Sequence, residues 1–492
     1  MRPRPARALA VVAAWAAVMT GCGSHSSSPA AHPPPLNGAG VRGGTTAYDR
    51  AVSAPQEDTV YPDVGDPVVD ALHYDLDLTW RPGPQVLTGV ETLSFRAATS
   101  ADSIRLDLER QLTVGHVWLD GTEVSFSHPG KDLVVAVPVT EGDRHDLQLT
   151  YSGTPEPVRA PTDRSDFSTT GWTTTDDGSV WTMQEPYGAY SWYAVNDQPS
   201  DKAFYSFHIR APKGMTGVAN GRSTGDVTQG GLHVTEFVTH DPMASYLVTI
   251  AIGHYVRTQG EGPDGIQIVY WTPADRPQLL RRLRYTPQAL TFLEGLLGPY
   301  PFRRQDTPLS VLVVPSNSAM ETQGAITLGE SRYTLSRDVL VHELAHQWYG
   351  DLVTPADWSD LWMNEGMATY VAEATWTAAH GTQTRTEILR RWATFVGGMR
   401  AAYGPPARYH PQSFGEGNAY YIPGLMWDTV RQRLGDAEFW RLVRRWPQAH
   451  AYTSQDRDAL TAWWSRQSGQ DLAPLFHRWL LAGAEPTWRP HA

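Results

Sequence analysis

The run His342-Glu343-Leu344-Ala345-His346, followed by Trp362-Met363-Asn364-Glu365-Gly366, constrains this chain more than any other feature of its 492 residues. Histidines four apart project from one face of a helix about a turn apart, so the pair predicts a helix and a common focus for two imidazoles. Glu343 lies beside them. Glu365 follows His346 after eighteen intervening residues and can supply a third ligand from a second helix. Two imidazoles and one carboxylate suit a single zinc ion (Zn2+), and three protein ligands leave the fourth tetrahedral position for water, as in catalytic rather than structural sites. A zinc ion there lowers the pKa of its water toward ~7 and polarises a carbonyl, with Glu343 placed to carry the proton to a leaving amine. That is peptide or amide hydrolysis. A bare H-E-x-x-H recurs by chance, but the third ligand inside W-x-N-E-G makes this one specific. The same ligands also accept cobalt or manganese.

The motifs resemble those of the M1-type gluzincin aminopeptidases. The resemblance continues through His346-Gln347-Trp348-Tyr349-Gly350-Asp351-Leu352-Val353-Thr354, similar to the family's H-Q-W-F-G-N-x-V-T. It extends upstream to Met243-Ala244-Ser245-Tyr246-Leu247, Ile252-Gly253 and Asn220-Gly221, so that it covers roughly Tyr61 to Trp488. It implies a zinc-dependent aminopeptidase acting on peptides with a free N-terminus. Asn317-Ser318-Ala319-Met320-Glu321-Thr322 resembles the exopeptidase motif G-A-M-E-N, which implies that Glu321 receives the substrate's α-amine beside Ala319 and Met320. Here Ser318 stands for Gly and Thr322 for Asn. Glu185-Pro186-Tyr187-Gly188-Ala189, continuing to Asp197-Gln198-Pro199, resembles E-P-x-x-A…D-x-P and makes Glu185 a second amine ligand. Met183 stands where many members have Gln, and Gln184 is one residue out of step. Tyr421-Ile422-Pro423-Gly424 resembles Y-E-K-G and implies Tyr421 as hydrogen-bond donor to the oxyanion, with Tyr420 an open alternative. An ammonium held between two carboxylates gains charge-assisted hydrogen bonds and fixes the scissile carbonyl one residue from the N-terminus. Three other readings use the same residues: a zinc endopeptidase, an epoxide hydrolase, and a non-catalytic surface lipoprotein. Retention of Glu343 argues against the last.

Arg2, Arg4 and Arg7 precede an apolar stretch from Ala8 to Met19, too short for a membrane span and right for the core of an export signal. It ends Met19-Thr20-Gly21-Cys22, which resembles a bacterial lipobox with Met in place of the usual Leu. Residues 1–22 are therefore expected to be a lipoprotein signal peptide, with Cys22 lipidated and the protein held on the outer face of the cytoplasmic membrane; plain secretion is the alternative. Cys22 is the only cysteine, so no intrachain disulfide forms. Residues 23–60, rich in Ser, Pro, Ala and Gly, read as a disordered tether.

From 61 to 253 the pattern has period two, as in His73-Tyr74-Asp75-Leu76-Asp77-Leu78-Thr79-Trp80, which predicts an antiparallel β-sandwich or saddle. Residues 254–492 predict an α-rich half, with a helix at 279–297, a strand at 309–314 and a helix at 459–467. The fold class is thus multidomain α+β, a β domain followed by a catalytic domain that the resemblance implies is thermolysin-like, without a large helical C-terminal domain. A net charge of −12 and the lack of a basic stripe exclude nucleic acid as partner. A monomer is expected. His254, His410, His450 and His477 have no ligand partners at useful spacing.

Overall fold

The structure, a computed structural model, describes residues 46–484 and 486–490. The signal segment, Cys22 and the tether up to residue 45 lie outside the described residues. No helix among those described is long and apolar enough to cross a membrane.

Alternation along Val69–Arg81 puts Tyr74, Leu76, Leu78 and Trp80 on one face, each at most 1% exposed. The other face carries charge, with Asp75 3.3 Å from His208 and Asp77 paired with Arg210 on the neighbouring strand. Among the described residues this strand lies in a nine-stranded sheet, between Lys202–Pro212 and Val86–Ala97. It runs parallel to the first and antiparallel to the second. The sheet is therefore mixed where the alternation alone suggested an antiparallel one. Parallel neighbours need a long crossover, and here the chain from 82 to 201 supplies it while building other strands on the way. A five-stranded sheet that includes Thr169–Thr174, Val180–Met183 and Ile250–Gly253 shares the core. Trp80 and Trp172 meet there edge to face, with ring centroids 5.2 Å apart.

Strand pairing changes hands at Gly253. Tyr255–Glu261 opens a separate sheet, in the order Tyr255–Glu261, Gln267–Pro273, Leu309–Val314, Ala325–Gly329, Ala319–Met320. The last of these is an edge strand. Helices dominate the remainder of the chain, with Thr286–Leu297 packed under Arg337–Ala345, and with Trp362–Thr369 against Gly417–Leu434. The two halves form one compact body, since Trp271, Leu312 and Met320 belong to the same apolar cluster as the first sheets.

The tether does not extend to residue 60. Thr46–Ala51 form a 3-10 helix, and the segment after it is bonded to both halves. Ser53 N–H donates to Asp70 and Gln56 N–H to Ser200, while Gln56 Nε2 donates to the Ala356 carbonyl at 3.0 Å. Thr59 donates twice to Asp357, at 2.7 and 2.9 Å. The Asp58 carboxylate, 2% exposed, accepts from the amides of Val60, Tyr61 and Trp358. Polar composition suggested solvation, but these polar groups satisfy buried partners some 300 residues away in sequence, which composition cannot report.

Candidate active site

Ser336 caps the motif helix, Arg337–Ala345, by accepting from Val339 N–H. His342 and His346 then face one point. His346 Nδ1 lies 3.0 Å from the Tyr349 carbonyl, which can only accept, so Nδ1 carries the proton and Nε2 is left as the lone-pair donor. Gly350, at φ 135°, makes the turn after the motif. Glu365 enters from Trp362–Thr369. The three candidate ligand atoms form a triangle with edges of 3.0 Å (His342 Nε2 to His346 Nε2), 3.1 Å (His342 Nε2 to Glu365 Oε2) and 3.4 Å (His346 Nε2 to Glu365 Oε2). Tetrahedral zinc with bonds near 2.05 Å separates its ligand atoms by about 3.3 Å. The donor set fits that ion in type and in size.

Four buried carboxylates surround this point. Glu185, Glu321, Glu343 and Glu365 are between 3 and 6% exposed. Burial works against ionisation of Glu365, yet His346 and His342 outweigh it and hold its carboxyl well below the usual range. Burial, reinforced by Glu321, pushes Glu343 well above it. Burial and then Glu321 do the same to Glu185. Like charges this close cannot all be sustained without cations. A dication and one ammonium would neutralise three of the four, leaving a single negative charge that Glu343 can exchange for a proton.

Glu185 and Glu321 meet on one side of the ligand triangle. Carboxylate oxygens of Glu185, Glu321 and Glu365 lie within 4.8 Å of one another. Among the described residues, neither Glu185 Oε1 nor Glu321 Oε1 has a hydrogen-bond partner. Gln347 Nε2 holds the Glu321 backbone by donating to its carbonyl at 3.0 Å. Ala319 and Met320, on the edge strand, line the same cleft of about 680 Å³. Two departures from the expected motif are absorbed structurally. The Thr322 hydroxyl bonds to the Ala325 carbonyl and to Thr327, so it turns inward, and Gln184 is spent on the Ser245 carbonyl and the Trp192 indole.

The tyrosine beside the ligands is Tyr420. Its ring faces His342 with centroids 6.1 Å apart. Tyr421, nominated by the resemblance, instead places its hydroxyl 3.4 Å from Glu373 and packs its ring on Trp392 and Phe395. Adjacent side chains on a helix point about 100° apart, so the two cannot share a direction. The phase of Gly417–Leu434 is set by the burial of Ile422, Leu425 and Met426 and by Gly366, where an added Cβ would lie 2.4 Å from Pro423. That close approach explains the glycine after Glu365. Both tyrosines line the cleft.

Sequence reasoning missed three groups. Arg164 reaches Tyr420 from 256 residues upstream, with no local signal. Glu373 lies in the π-helical turn Tyr370–Trp376, two helical turns beyond Glu365, a spacing that could have revealed it. Lys202 is wholly buried and donates to the carbonyls of Asp351 and Leu352, and burial pushes it down to about 7.

Residues 70–247 match the Peptidase M1 N-terminal domain, and residues 282–402 match the Peptidase family M1 domain. The chain belongs to peptidase family M1. Aminopeptidase N of Streptomyces lividans is 27% identical over 460 residues, 86% of this chain and 51% of that protein. Aminopeptidase N of Haemonchus contortus is 31% identical over 223 residues, 40% of this chain and 22% of that protein. The chain spans about half, or less, of the length of these curated relatives. Its two-domain fold is that of solved M1 structures. A two-domain M1 zinc metallopeptidase variant bound to L-arginine superposes with a TM-score of 0.79 at 27% identity, covering 88% of this chain and 99% of that one. The M1 zinc metallopeptidase of Deinococcus radiodurans gives 0.77 at 28% with the same coverage, and a variant of it was solved with a Tyr-Ser-Ala substrate. M1 membership implies zinc, in accord with the donor set described above.

Proposed function

We propose that this M1 member is a zinc-dependent aminopeptidase that removes the N-terminal residue from peptides. The observation that carries the reading is the pair of buried carboxylates, Glu185 and Glu321, each with an unpartnered oxygen beside the His342, His346 and Glu365 triangle. A buried carboxylate pair without a cation is costly, and a substrate ammonium is the cation an exopeptidase brings. One zinc ion held by His342, His346 and Glu365 supplies Lewis acidity and a lowered pKa for water. Glu343, buried beside these residues, would take a proton from the attacking water and deliver it to the departing amine. Tyr420 donates to the carbonyl oxygen as negative charge develops there. The edge strand Ala319–Met320 offers main-chain groups to an extended substrate. One ion accounts for the site, with His342, His346 and Glu365 holding it while Glu185 and Glu321, the carboxylates grouped with Glu365, face the substrate's ammonium. All of these residues come from one chain, so a monomer is a sufficient unit.

The test compares amino-acid anilides with their N-acetylated counterparts. Zinc-dependent turnover of the free-amine series alone is expected, abolished in Glu343→Gln and reduced in Glu321→Ala. Turnover of blocked substrates would replace the reading with an endopeptidase, and turnover of an epoxide would point to an epoxide hydrolase.

From the sequence we also infer export and acylation at Cys22, which would hold the enzyme on the outer face of the cytoplasmic membrane. Acyl chains contribute ~0.8 kcal/mol per buried methylene to that attachment. Cells fed a labelled fatty acid should label the protein, and Cys22→Ser should release it to the soluble fraction; an unlabelled, soluble wild type would refute the anchor.

A further inference from the structure

A cationic side chain in the cleft, Arg164, comes from the N-terminal half and has no part in the chemistry above. Arg164 lies between the strands Val158–Arg159 and Thr169–Thr174, and its guanidinium reaches the start of the helix that carries Tyr420. Nη1 donates to the Gly415 carbonyl at 2.8 Å and to Tyr420 Oη at 3.2 Å. Nε and Nη2 donate to Asp166 at 3.3 and 2.7 Å. The side chain is 28% exposed, and its guanidinium carbon lies 6.0 Å from the Tyr420 ring centre. Arg164 is thus held at both ends, by Asp166 and by the carbonyl of Gly415.

The direction of these bonds matters. Arginine can only donate, while a phenol carries one proton and accepts on its oxygen. With Arg164 filling an acceptor position on Tyr420 Oη, the phenol's own proton is free for another partner. Among the described residues Tyr420 Oη has no acceptor for it. The ring faces His342, so that proton is available to an oxygen bound beside the ligand triangle. A cation donating to the phenol also strengthens it as a donor, since hydrogen bonds in a chain polarise one another.

We propose that Arg164 is a positioning residue that holds the Tyr420 hydroxyl in its donating orientation toward the substrate's carbonyl oxygen, so that the N-terminal half contributes through Tyr420 to stabilising the transition state. The inference rests on the aminopeptidase reading. Two lesser roles compete. Arg164 could serve only to dock its loop, since Phe414 N–H also donates to the Pro161 carbonyl at 3.0 Å. The other is binding of the substrate's carboxylate end, which a raised KM with kcat unchanged would reveal.

The experiment is a double-mutant cycle on the full chain loaded with zinc, read with a free-amine amino-acid anilide and with a phosphinic peptide that mimics the tetrahedral intermediate. Loss of one oxyanion donor costs ~10²–10³ in kcat, so Tyr420→Phe should fall in that range and Arg164→Gln, acting through it, by ~10-fold. KM should stay within about two-fold, because the interaction is made in the transition state. Affinity for the phosphinic peptide should fall in step with kcat/KM, and Arg164→Lys should recover part of the loss. In the Tyr420→Phe background, Arg164→Gln should have no further effect. An equal loss in that background, or a raised KM with kcat unchanged, overturns the proposal. If Arg164→Gln does not fold, Arg164→Lys reads the same cycle, because lysine keeps the charge with one donor group in place of the fork. A wild type inactive on free-amine substrates would sink the aminopeptidase reading itself, whereas an active wild type with an additive cycle sinks only the role of Arg164.

Discussion

Replacing Glu321 by glutamine keeps the side chain's shape and removes its charge, which separates the two things this carboxylate does. Glu321 is 3% exposed and shares a buried cluster with Glu185, Glu343 and Glu365. Toward substrate it is one of two carboxylates facing the ammonium. A hydrogen bond to a charged group contributes ~1.5–3 kcal/mol. At about 1.4 kcal/mol per decade, kcat/KM for a free-amine anilide should fall about 10- to 150-fold. Toward the fold the sign reverses. Burial first, with Glu365 adding to it, raises the Glu321 carboxyl above its ordinary value even against the favourable pull of His346. A carboxylate whose folded pKa is raised destabilises the protein once pH climbs above the unfolded value near ~4.3. Metal-free Glu321→Gln should therefore melt higher than metal-free wild type at pH 7, and the difference should vanish below about pH 4. Steady-state kinetics and calorimetry across pH read both effects. Loss of activity on free-amine substrates together with a lower melting temperature at pH 7 would refute the reasoning, because it would make Glu321 a structural residue.

Other outcomes are dictated by the geometry. Tyr421→Phe should leave kcat within a few-fold of wild type, while Tyr420→Phe loses ~10²-fold or more, since only Tyr420 faces His342; the reverse ranking in anilide kinetics would restore Tyr421. Gly366→Ala should cost ~1–3 kcal/mol by denaturant unfolding and also lower kcat, because a Cβ there drives into Pro423 and shifts the helix carrying Tyr420. Deleting residues 46–60 should lower the melting temperature of the whole body, since each buried group left without its partner costs ~1–3 kcal/mol; an unchanged melting curve would show the segment to be dispensable. Chelation should abolish activity and lower the melting temperature, with one equivalent of zinc restoring both, and Glu365→Gln should weaken zinc binding measured by competition with a chromophoric chelator.

The features legible in the sequence are those that depend on local geometry. His342 and His346 converge because any helix brings i and i+4 together, and Glu365 joins them because W-x-N-E-G marks the start of the next helix. The core face of Val69–Arg81 is legible because strand periodicity is two. The features that escape depend on distant packing. Choosing Tyr420 over Tyr421 requires the phase of Gly417–Leu434, fixed by a contact between Pro423 and Gly366 that no local pattern encodes. The segment from 46 to 60 reads as solvated until Trp358 and Asp357 are seen to need Asp58 and Thr59. The parallel pairing of Val69–Arg81 with Lys202–Pro212 and the reach of Arg164 to Tyr420 likewise depend on residues far apart in sequence. The motif departures at Ser318 and Thr322 are visible in the sequence, but the way the fold absorbs Thr322 is not. Its hydroxyl turns onto Ala325 and Thr327 instead of the cleft.

The most direct test of the central claim is product analysis by mass spectrometry. The zinc-loaded full chain would be given a peptide of three different residues with a free N-terminus, beside the N-acetylated form. An aminopeptidase yields one free amino acid and a dipeptide from the first, nothing from the second, and no products from a Glu343→Gln variant that still binds one zinc. Cleavage of the blocked peptide, or no turnover of the free one despite stoichiometric zinc, would contradict that reading.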